Sequence, residues 1–305
     1  MSETRNITRV LRSQPVIEGA GVHLKRAFGF HDVTLCDPFL MLDDFRNSDP
    51  ARYKSGFPWH PHRGIETITY VLRGTVEHGD SMGNTGIIGP GDVQWMTAGS
   101  GIVHQEMPEG DAQGVQWGFQ LWANLPASRK MMDPRYQEIT SDQIPEAVLD
   151  NGVSVRVICG RAAGQQGPVR DIVIEPEFLD VTLPPHTEFL HPTPPGHTVL
   201  AYVIDDRGYF CRDKKPFTFE REAGSYTAVD NDPSVADEHL VVFGPGDEVV
   251  ALAGDQSLRF LLISGKPLRE PVAWRGPIVM NTQEELRIAF EEYAAGTFIK
   301  SGKKI

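Results

Sequence analysis

Short apolar runs separated by turn residues make up most of this chain. The runs are rich in Val, Ile, Thr, Tyr and Phe, and 30 glycines and 23 prolines interrupt them. Such punctuation is typical of an all-β sandwich or barrel, in which each run forms one strand. The clearest predicted strands lie at 66–72, 114–123, 153–159, 178–183, 198–204, 240–243 and 258–263.

A helical pattern is clear near the C-terminus. Thr282 and Glu285 have the spacing of a capping box, in which each side chain bonds the backbone at the other residue. Apolar residues follow at 286, 289, 290 and 293, so one face of the helix is apolar. We therefore predict a short C-terminal helix that packs back on a barrel.

Two sequence fragments recur in the same order, which indicates an internal duplication. Gly-Pro-Gly-Asp occurs at 89–92 and again at 244–247, and Tyr-Val-Leu at 70–72 resembles Tyr-Val-Ile at 202–204. The distance between the two fragments is longer in the second copy. This difference predicts an additional loop at 212–237.

Length and composition agree with two domains of an ordinary globular protein. The chain has 305 residues, enough for about two domains. We predict an all-β fold with an N-terminal barrel at 1–140, and a C-terminal barrel at 141–305 that carries the helix. The net charge of −12 opposes direct binding to nucleic acid or to an anionic membrane surface.

The apolar runs and the cysteines predict a cytoplasmic location. No apolar run approaches the length of a membrane span, and the N-terminal region has no continuous apolar block that would indicate a signal peptide. The three cysteines lack C-x-x-C spacing, so neither a disulfide framework nor a zinc knuckle is expected.

Two pairs of residues have the chemistry and spacing of metal ligands: His60 with His62, and His104 with Glu106. Residues two apart on a strand point to the same face, so two neighbouring strands can direct three imidazoles and one carboxylate at one point. Imidazole and carboxylate bind Fe, Mn, Ni, Cu or Zn, and four protein ligands leave positions open on a six-coordinate metal. We predict one divalent metal per chain. Glu66 shares strand parity with His62 and is the alternative carboxylate ligand.

The second copy of the repeat lacks these ligands. In the order His60, His62, His104 and Glu106, the repeat aligns them with Pro192, Pro194, Arg259 and Leu261. Histidines remain there at 186, 191 and 197, but His191 is one residue out of register, and such a slip turns a strand residue to the other face. We therefore expect the metal in the N-terminal barrel alone.

Several aromatic residues lie near these segments, among them Phe45, Phe57 and Trp122. Such residues either fill the barrel or line a pocket that suits a flat ring substrate. The spacing of these aromatic residues does not distinguish those that fill the barrel from those that line a pocket.

The segments that carry the ligands resemble the two motifs of the cupin superfamily, and longer matches resemble the pirin family. The pirin-like segments are His-Pro-His-Arg-Gly-Ile-Glu-Thr at 60–67, Gly-Asp-Val-Gln-Trp-Met-Thr-Ala-Gly at 91–99, His-Gln-Glu-Met-Pro at 104–108 and Gly-Pro-Ile-Val-Met-Asn-Thr at 276–282, with 37–40 and 267–271. The resemblance extends over about 13–298. It implies a bicupin, that is, two β-barrels with a metal in the N-terminal one.

The resemblance also implies which residues hold the metal. Its ligands are the three histidines with Glu106, which leaves Glu66 to orient a histidine or Arg63. Fe(II) is the favoured metal, with Mn, Ni, Cu or Zn as alternatives. A structural Zn or Ni site is less favoured, because three histidines and a carboxylate are not a closed structural zinc set.

Bacterial pirins are associated with quercetin 2,3-dioxygenase activity, in which O2 opens the central ring of a flavonol and carbon monoxide leaves. The resemblance therefore implies a metal-dependent dioxygenase whose substrates are a flavonol-like molecule and O2. Glu106 would be the base that removes the hydroxyl proton of the substrate. The alternative is a non-enzymatic, iron-dependent regulator that binds a transcription factor or a metabolic enzyme. The acidic charge suits a protein partner better than DNA.

Overall fold

The computed structural model describes residues 2–212 and 233–300. Most of the additional loop predicted at 212–237 lies outside the described residues. The first twelve strands are β1 (Ile7–Arg12), β2 (Gln14–Glu18), β3 (Val22–Phe28), β4 (Phe39–Asp44), β5 (Phe57–His62), β6 (Ile65–Arg73), β7 (Thr75–Asp80), β8 (Thr85–Ile88), β9 (Val93–Thr97), β10 (Ile102–Glu109), β11 (Trp117–Asn124) and β12 (Arg135–Ile139).

The remaining strands follow in chain order. They are β13 (Glu146–Val148), β14 (Ser154–Cys159), β15 (Arg161–Ala162), β16 (Gln165–Gln166), β17 (Glu177–Leu183), β18 (Glu188–Pro192), β19 (Thr198–Tyr209), β20 (Val235–Ala236), β21 (His239–Phe243), β22 (Glu248–Gly265), β23 (Ala273–Arg275) and β24 (Ile278–Met280). The α-helices are α1 (Val33–Cys36) and α2 (Gln283–Ala294), and single 3-10 turns lie at Phe30–Asp32, Pro50–Arg52 and Ser141–Gln143.

All seven predicted strands correspond to observed strands, and the all-β class is confirmed. The largest difference in bounds concerns 114–123, because the observed strand begins at Trp117. Gly114 has a φ of +74 and ends the preceding turn. A left-handed backbone at that residue is incompatible with an extended strand.

The described residues form two compact units. The first unit comprises Gln14–Gln143 and Leu268–Ile305, and the second comprises Met1–Ser13 and Ile144–Pro267. In the first unit, a seven-stranded antiparallel sheet has the order β12-β9-β6-β11-β4-β3-β2, and a four-stranded sheet has the order β5-β10-β7-β8. Strands β23 and β24 form a separate hairpin.

The second unit is built on one nine-stranded sheet with the main order β1-β21-β19-β22-β17-β14-β13. Its apolar core includes the buried Val155, Leu179, Val203 and Phe260. Apolar side chains of this kind stabilise a barrel interior by removing their surface from water. The position that the repeat aligns with His104 is Arg259, which forms a bidentate ion pair with Asp180.

Helix α2 belongs to the first unit. Thr282 and Glu285 form the predicted capping box. The apolar stripe of the helix places Leu286 and Ala289 against Ile278 and Met280 of strand β24. The prediction that the helix packs on a barrel agrees with this, but the unit that receives it is not the C-terminal one.

The predicted domain bounds, 1–140 and 141–305, therefore differ from the observed units at both ends of the chain. Strand β1 pairs with β21, so the N-terminal residues complete the sheet of the second unit. Strands β23 and β24 and helix α2 complete the first unit. Contacts between segments far apart in the sequence decide to which unit each end of the chain belongs: the pairing of β1 with β21, and the bonds of Lys130 to Val279 and of Arg63 to Glu292. Division of the chain at a single position cannot represent such contacts.

No helix in residues 2–212 and 233–300 is both long enough and apolar enough to cross a bilayer.

Candidate metal centre

The three predicted histidine ligands come together on two antiparallel strands of the first unit. Strand β5 carries His60 and His62, and strand β10 carries His104, which lies directly opposite His60 in the register. One ligand nitrogen from each of the three imidazoles lies within 4.8 Å of the other two. The i, i+2 spacing of the first pair therefore acts as predicted, and the neighbouring strand supplies the third imidazole.

Backbone carbonyls fix the orientation of two of these rings. His60 Nδ1 lies 2.9 Å from Pro58 O, and His62 Nδ1 lies 3.0 Å from Pro277 O. A carbonyl accepts, so in each neutral ring Nδ1 carries the proton and Nε2 keeps its lone pair. The two Nε2 atoms face each other at 3.1 Å. Two lone pairs at this distance repel, and a shared cation removes the repulsion.

His104 provides a second indication of a cation. It is fully buried, and neither of its ring nitrogens has a hydrogen-bond partner among the described residues. A buried polar atom without a partner costs free energy, so such atoms are rare unless a ligand satisfies them.

The protonation state of the histidines also suits a metal. Burial lowers the pKa of both His62 and His104 well below the usual value, and the neighbouring imidazoles add to this shift. Burial also lowers the pKa of His60. The rings are therefore neutral at pH 7, as metal coordination requires. The donor set fits a divalent transition metal.

Glu106 lies next to the triad but is not part of the cluster that the described residues form. The pairing of β10 with β5 shifts between His104 and Glu106, with three steps on β5, from His60 to Phe57, against two on β10. The pairing of β10 with β7 is regular there, so the bulge lies on β5 and Glu106 faces the same side of its strand as His104. Burial raises the pKa of Glu106 to about 7, against the opposing effect of a hydrogen bond from Thr69.

Thr69 connects Glu106 to the sheet opposite. Its Oγ1 lies 3.0 Å from Glu106 Oε1 and 2.6 Å from Gln120 Oε1. A hydroxyl has one proton, so Thr69 can donate to one of these oxygens at a time. When Glu106 is protonated, it can donate to Thr69 while Thr69 donates to Gln120. The hydrogen bonds of Thr69 can therefore accommodate Glu106 in either protonation state.

Glu66, the alternative carboxylate, takes no part in the cluster. Its two oxygens accept hydrogen bonds from Thr97 Oγ1 at 2.7 Å and from Trp95 Nε1 at 3.2 Å. The expectation that it orients a histidine or Arg63 does not agree with these bonds. Arg63 instead donates to Ser100 O and Phe298 O and pairs with Glu292 of helix α2. His62 and Glu66 also lie on different strands, β5 and β6, which belong to different sheets. Gly64 between them has a φ of +79, so the strand parity expected from the sequence does not apply.

A cavity of about 610 Å³ lies over the triad within the first unit. His60, His62 and Glu106 line it, together with apolar residues that include Met41, Phe57, Trp122 and Trp274. The ring of Trp122 lies edge-on to His62 with the ring centroids 5.0 Å apart. A volume of this size and an apolar wall with few polar groups are typical of small-molecule sites.

The sequence interpretation missed the contribution of the C-terminal hairpin. Pro277 O orients His62, and Trp274 forms part of the cavity wall. Lys130 Nζ holds the hairpin next to the ligand strands by donating to both Gly64 O and Val279 O. Gly64 permits this approach, because it has a φ of +79 and a Cβ there would lie 2.0 Å from Val279 O. The Gly-Pro motif at 276–277 was the available signal.

Comparison with known proteins gives consistent results over the whole chain. The pirin family model matches residues 21–123, and the pirin C-terminal cupin domain model matches residues 178–299. A pirin-like protein of Caulobacter vibrioides is 42% identical over 295 residues, covering 96% of this chain and 99% of that protein. A Pseudomonas aeruginosa protein named "Putative quercetin 2,3-dioxygenase" is 39% identical over 301 residues, with coverages of 97% and 99%.

A solved structure of a quercetin 2,3-dioxygenase from Acinetobacter baumannii is also similar, with a TM-score of 0.82 and 28% identity. The match covers 97% of this chain and 98% of that one. The predicted fold class, two cupin-type barrels with a short C-terminal helix, is thereby confirmed. With both family models matched and 42% identity over nearly its whole length, the chain belongs to the pirin family.

Proposed function

We propose that this protein is a metal-dependent dioxygenase of the quercetin 2,3-dioxygenase type. The observation that carries the proposal is the histidine triad beside a cavity of about 610 Å³, whose largely apolar wall includes His60 and His62. The names of the Pseudomonas aeruginosa and Acinetobacter baumannii proteins support the same activity. The substrates would be a flavonol-like molecule and O2, and the products a ring-opened ester and carbon monoxide.

His60, His62 and His104 would hold the metal, with Glu106 as the fourth ligand. A bound divalent cation, for which we favour Fe(II) over Mn, Ni, Cu or Zn, would supply Lewis acidity and one-electron chemistry with O2. Pro58 O and Pro277 O keep two of the imidazoles in the tautomer that presents Nε2 to the cavity. Carbonyl partners of this kind set the orientation of ligand histidines in metal sites.

Glu106 is the residue that would take the hydroxyl proton of the flavonol. Burial raises the pKa of Glu106 to about 7 in the metal-free site, and a bound cation would keep the carboxyl ionised and therefore able to accept a proton. Thr69 Oγ1, at 3.0 Å, holds the carboxyl in place. The apolar wall around it, with Met41, Phe57 and Trp122, would exclude water from the bound substrate.

Turnover with a defined metal tests this function. The purified protein is freed of metal, loaded with Fe(II) without oxygen, and mixed with quercetin and air. We expect loss of the flavonol absorbance together with release of about one carbon monoxide per quercetin consumed, because ring opening expels one carbon. His62→Ala should abolish metal binding and turnover, whereas His186→Ala, an exposed residue of the second unit, should change neither.

A fully loaded protein that consumes quercetin without releasing carbon monoxide, or does not consume it, would contradict the proposal. The regulator function makes a different prediction in the same preparation. It requires a protein partner whose binding depends on the oxidation state of the iron, and His62→Ala would abolish that dependence.

A cytoplasmic location is part of this proposal. It is supported by the three cysteines, Cys36, Cys159 and Cys211, which are all buried free thiols. Free thiols are typical of proteins in a reducing compartment.

A further inference from the structure

A row of polar side chains lines the cavity, and several of them have no role in the proposed reaction. Pairing in the seven-stranded sheet aligns Arg26 with Asp43, Asp43 with Gln120, and Gln120 with Thr69. All four side chains line the cavity, as does Glu106 at the end next to Thr69. The row therefore extends across four adjacent strands, away from the triad.

The residues on either side of this row are apolar. Met41 and Trp122 are paired on β4 and β11, two residues from Asp43 and Gln120 on the same face of the sheet. Phe45 and Leu24 line the cavity on the other side. A polar row between apolar rows suits a ligand with flat apolar faces and polar groups along its length.

At the end of the row remote from Glu106, the group available to a ligand is the carboxylate of Asp43, which accepts hydrogen bonds. The positive charge of Arg26 is not available to an anion. Arg26 donates to both oxygens of Asp43 at 2.8 Å, and its remaining terminal nitrogen pairs with Glu18 at 3.0 Å. The guanidinium is therefore engaged by two carboxylates. Each Asp43 oxygen still has a lone pair available. Asp43 is 3% exposed, so a ligand group that it binds would be shielded from water.

The spacing of strands gives the length of the ligand. Adjacent strands lie roughly 4.8 Å apart, so Asp43, two strands from Thr69, lies roughly 10 Å further from Glu106 along the row. A single ring bound at the triad would not reach it. A molecule of two or three linked rings would.

We propose that Asp43 is a specificity-determining residue that accepts a hydrogen bond from a hydroxyl on the part of the substrate remote from its metal-binding oxygens. The substrate class is then an elongated, planar polyphenol with a neutral hydroxyl donor at its far end. This inference rests on the proposed function, because the near end of the ligand is taken to bind at the triad.

Binding measurements on the unmodified protein test the inference. The protein is loaded with Zn(II), which does not change oxidation state, and titrated with flavones while tryptophan fluorescence is followed. The probes are 3-hydroxyflavone, its 7-hydroxy and 4'-hydroxy derivatives, and its 4'-carboxylate. We expect at least one remote hydroxyl to tighten binding by roughly tenfold or more, because its partner is a buried carboxylate. The 4'-carboxylate should bind more weakly than the parent.

A pair of matched variants separates Asp43 from its surroundings. Asp43→Asn should reduce the gain from the remote hydroxyl to less than roughly threefold, because the charge of the acceptor is lost. Asp44→Asn is the control: Asp44 is equally buried on the same strand, points to the other face and bonds Arg46. It should leave the gain unchanged.

Either of two binding results would overturn the inference. Equal affinity for the parent and both hydroxyl derivatives excludes a remote acceptor, and tighter binding of the carboxylate shows that Arg26 receives an anion instead. Both measurements use the unmodified chain, so they decide the matter even if Asp43→Asn does not fold. If the protein turns over quercetin but shows no preference for flavones with a remote hydroxyl, the inference about Asp43 is wrong and the proposed function stands. If the protein binds no flavone at all, the proposed function is wrong as well.

Discussion

The contact between His60 Nε2 and His62 Nε2 is the clearest indication, at the scale of single residues, that this site can hold a cation. Both rings donate from Nδ1 to a backbone carbonyl, which leaves two lone pairs 3.1 Å apart. The residue types and their spacing were evident from the sequence. The tautomers were not, because Pro277, which fixes one of them, lies far along the chain.

Glu106 gives a prediction that depends on pH. Its pKa of about 7 in the metal-free protein is raised from the usual 4.5, so the carboxyl is mostly protonated at pH 6 and mostly ionised at pH 8.5. Coordination requires the carboxylate. Zn(II) binding should therefore release close to one proton at pH 6 and almost none at pH 8.5, since the histidines are already neutral.

Calorimetric titrations in buffers of different ionisation enthalpy measure this proton release. Glu106→Gln is the control and should release almost none at either pH. Proton release that is the same at both pH values in the unmodified protein would show that Glu106 is not a ligand.

At the scale of elements, the C-terminal hairpin and helix α2 stabilise the strand that carries the ligands. The side chain of Arg63, one residue after His62, is 2% exposed and makes bonds to Ser100 O, Phe298 O and Glu292. Its guanidinium also lies over the Phe298 ring, 4.2 Å from the centroid. Arg63 therefore joins the end of strand β5 to helix α2 and to the segment that follows it, more than 200 residues further along the chain.

Arg63→Met should destabilise the first unit by about 3 kcal/mol, because it leaves buried carbonyls and Glu292 without their charged partner. Urea unfolding followed by tryptophan fluorescence measures this effect in the first unit, since all five tryptophans lie there. Arg287→Ala is the matched control, as Arg287 pairs with Glu284 and Glu291 on the exposed face of the same helix. An equal shift of the unfolding midpoint in both variants would contradict the role assigned to Arg63.

At the scale of the whole molecule, each unit includes a segment from the opposite end of the chain. The N-terminal strand β1 belongs to the second unit, and β23, β24 and α2 belong to the first. A fragment of residues 1–140, the domain predicted from the sequence, lacks Pro277 and the hairpin that orients His62. We expect its affinity for Zn(II) to fall by roughly 10- to 100-fold, the usual cost of losing a partner that orients a ligand. Its fluorescence-detected unfolding should also lose cooperativity.

The control fragment joins residues 14–143 to 268–305 through a flexible linker of roughly 20 Gly and Ser residues. It restores the first unit, and it should regain the zinc affinity of the full chain. If the fragment of residues 1–140 binds Zn(II) as tightly as the full chain, the C-terminal segment has no role in the site.

Local sequence patterns were enough to predict the strands, the helix and the chemistry of the candidate ligands. Apolar runs between turn residues located the seven strands, and the Thr282–Glu285 spacing located helix α2. The i, i+2 pairs singled out the three histidines of the triad. These features are local, since they follow from side-chain alternation and from bonds between residues a few positions apart. Local rules can be applied to a sequence without knowledge of the fold.

The tertiary structure alone decided which distant segments meet. It assigned β1 to the second unit and the hairpin with α2 to the first. It provided Trp95 and Thr97 as the hydrogen-bond donors to Glu66. It also aligned Arg26, Asp43, Gln120 and Thr69 in one row. Each of these depends on contacts between segments that are apart in the chain, and most of them on the register between strands. Register is set by the packing of whole sheet faces, and many registers satisfy the same local pattern.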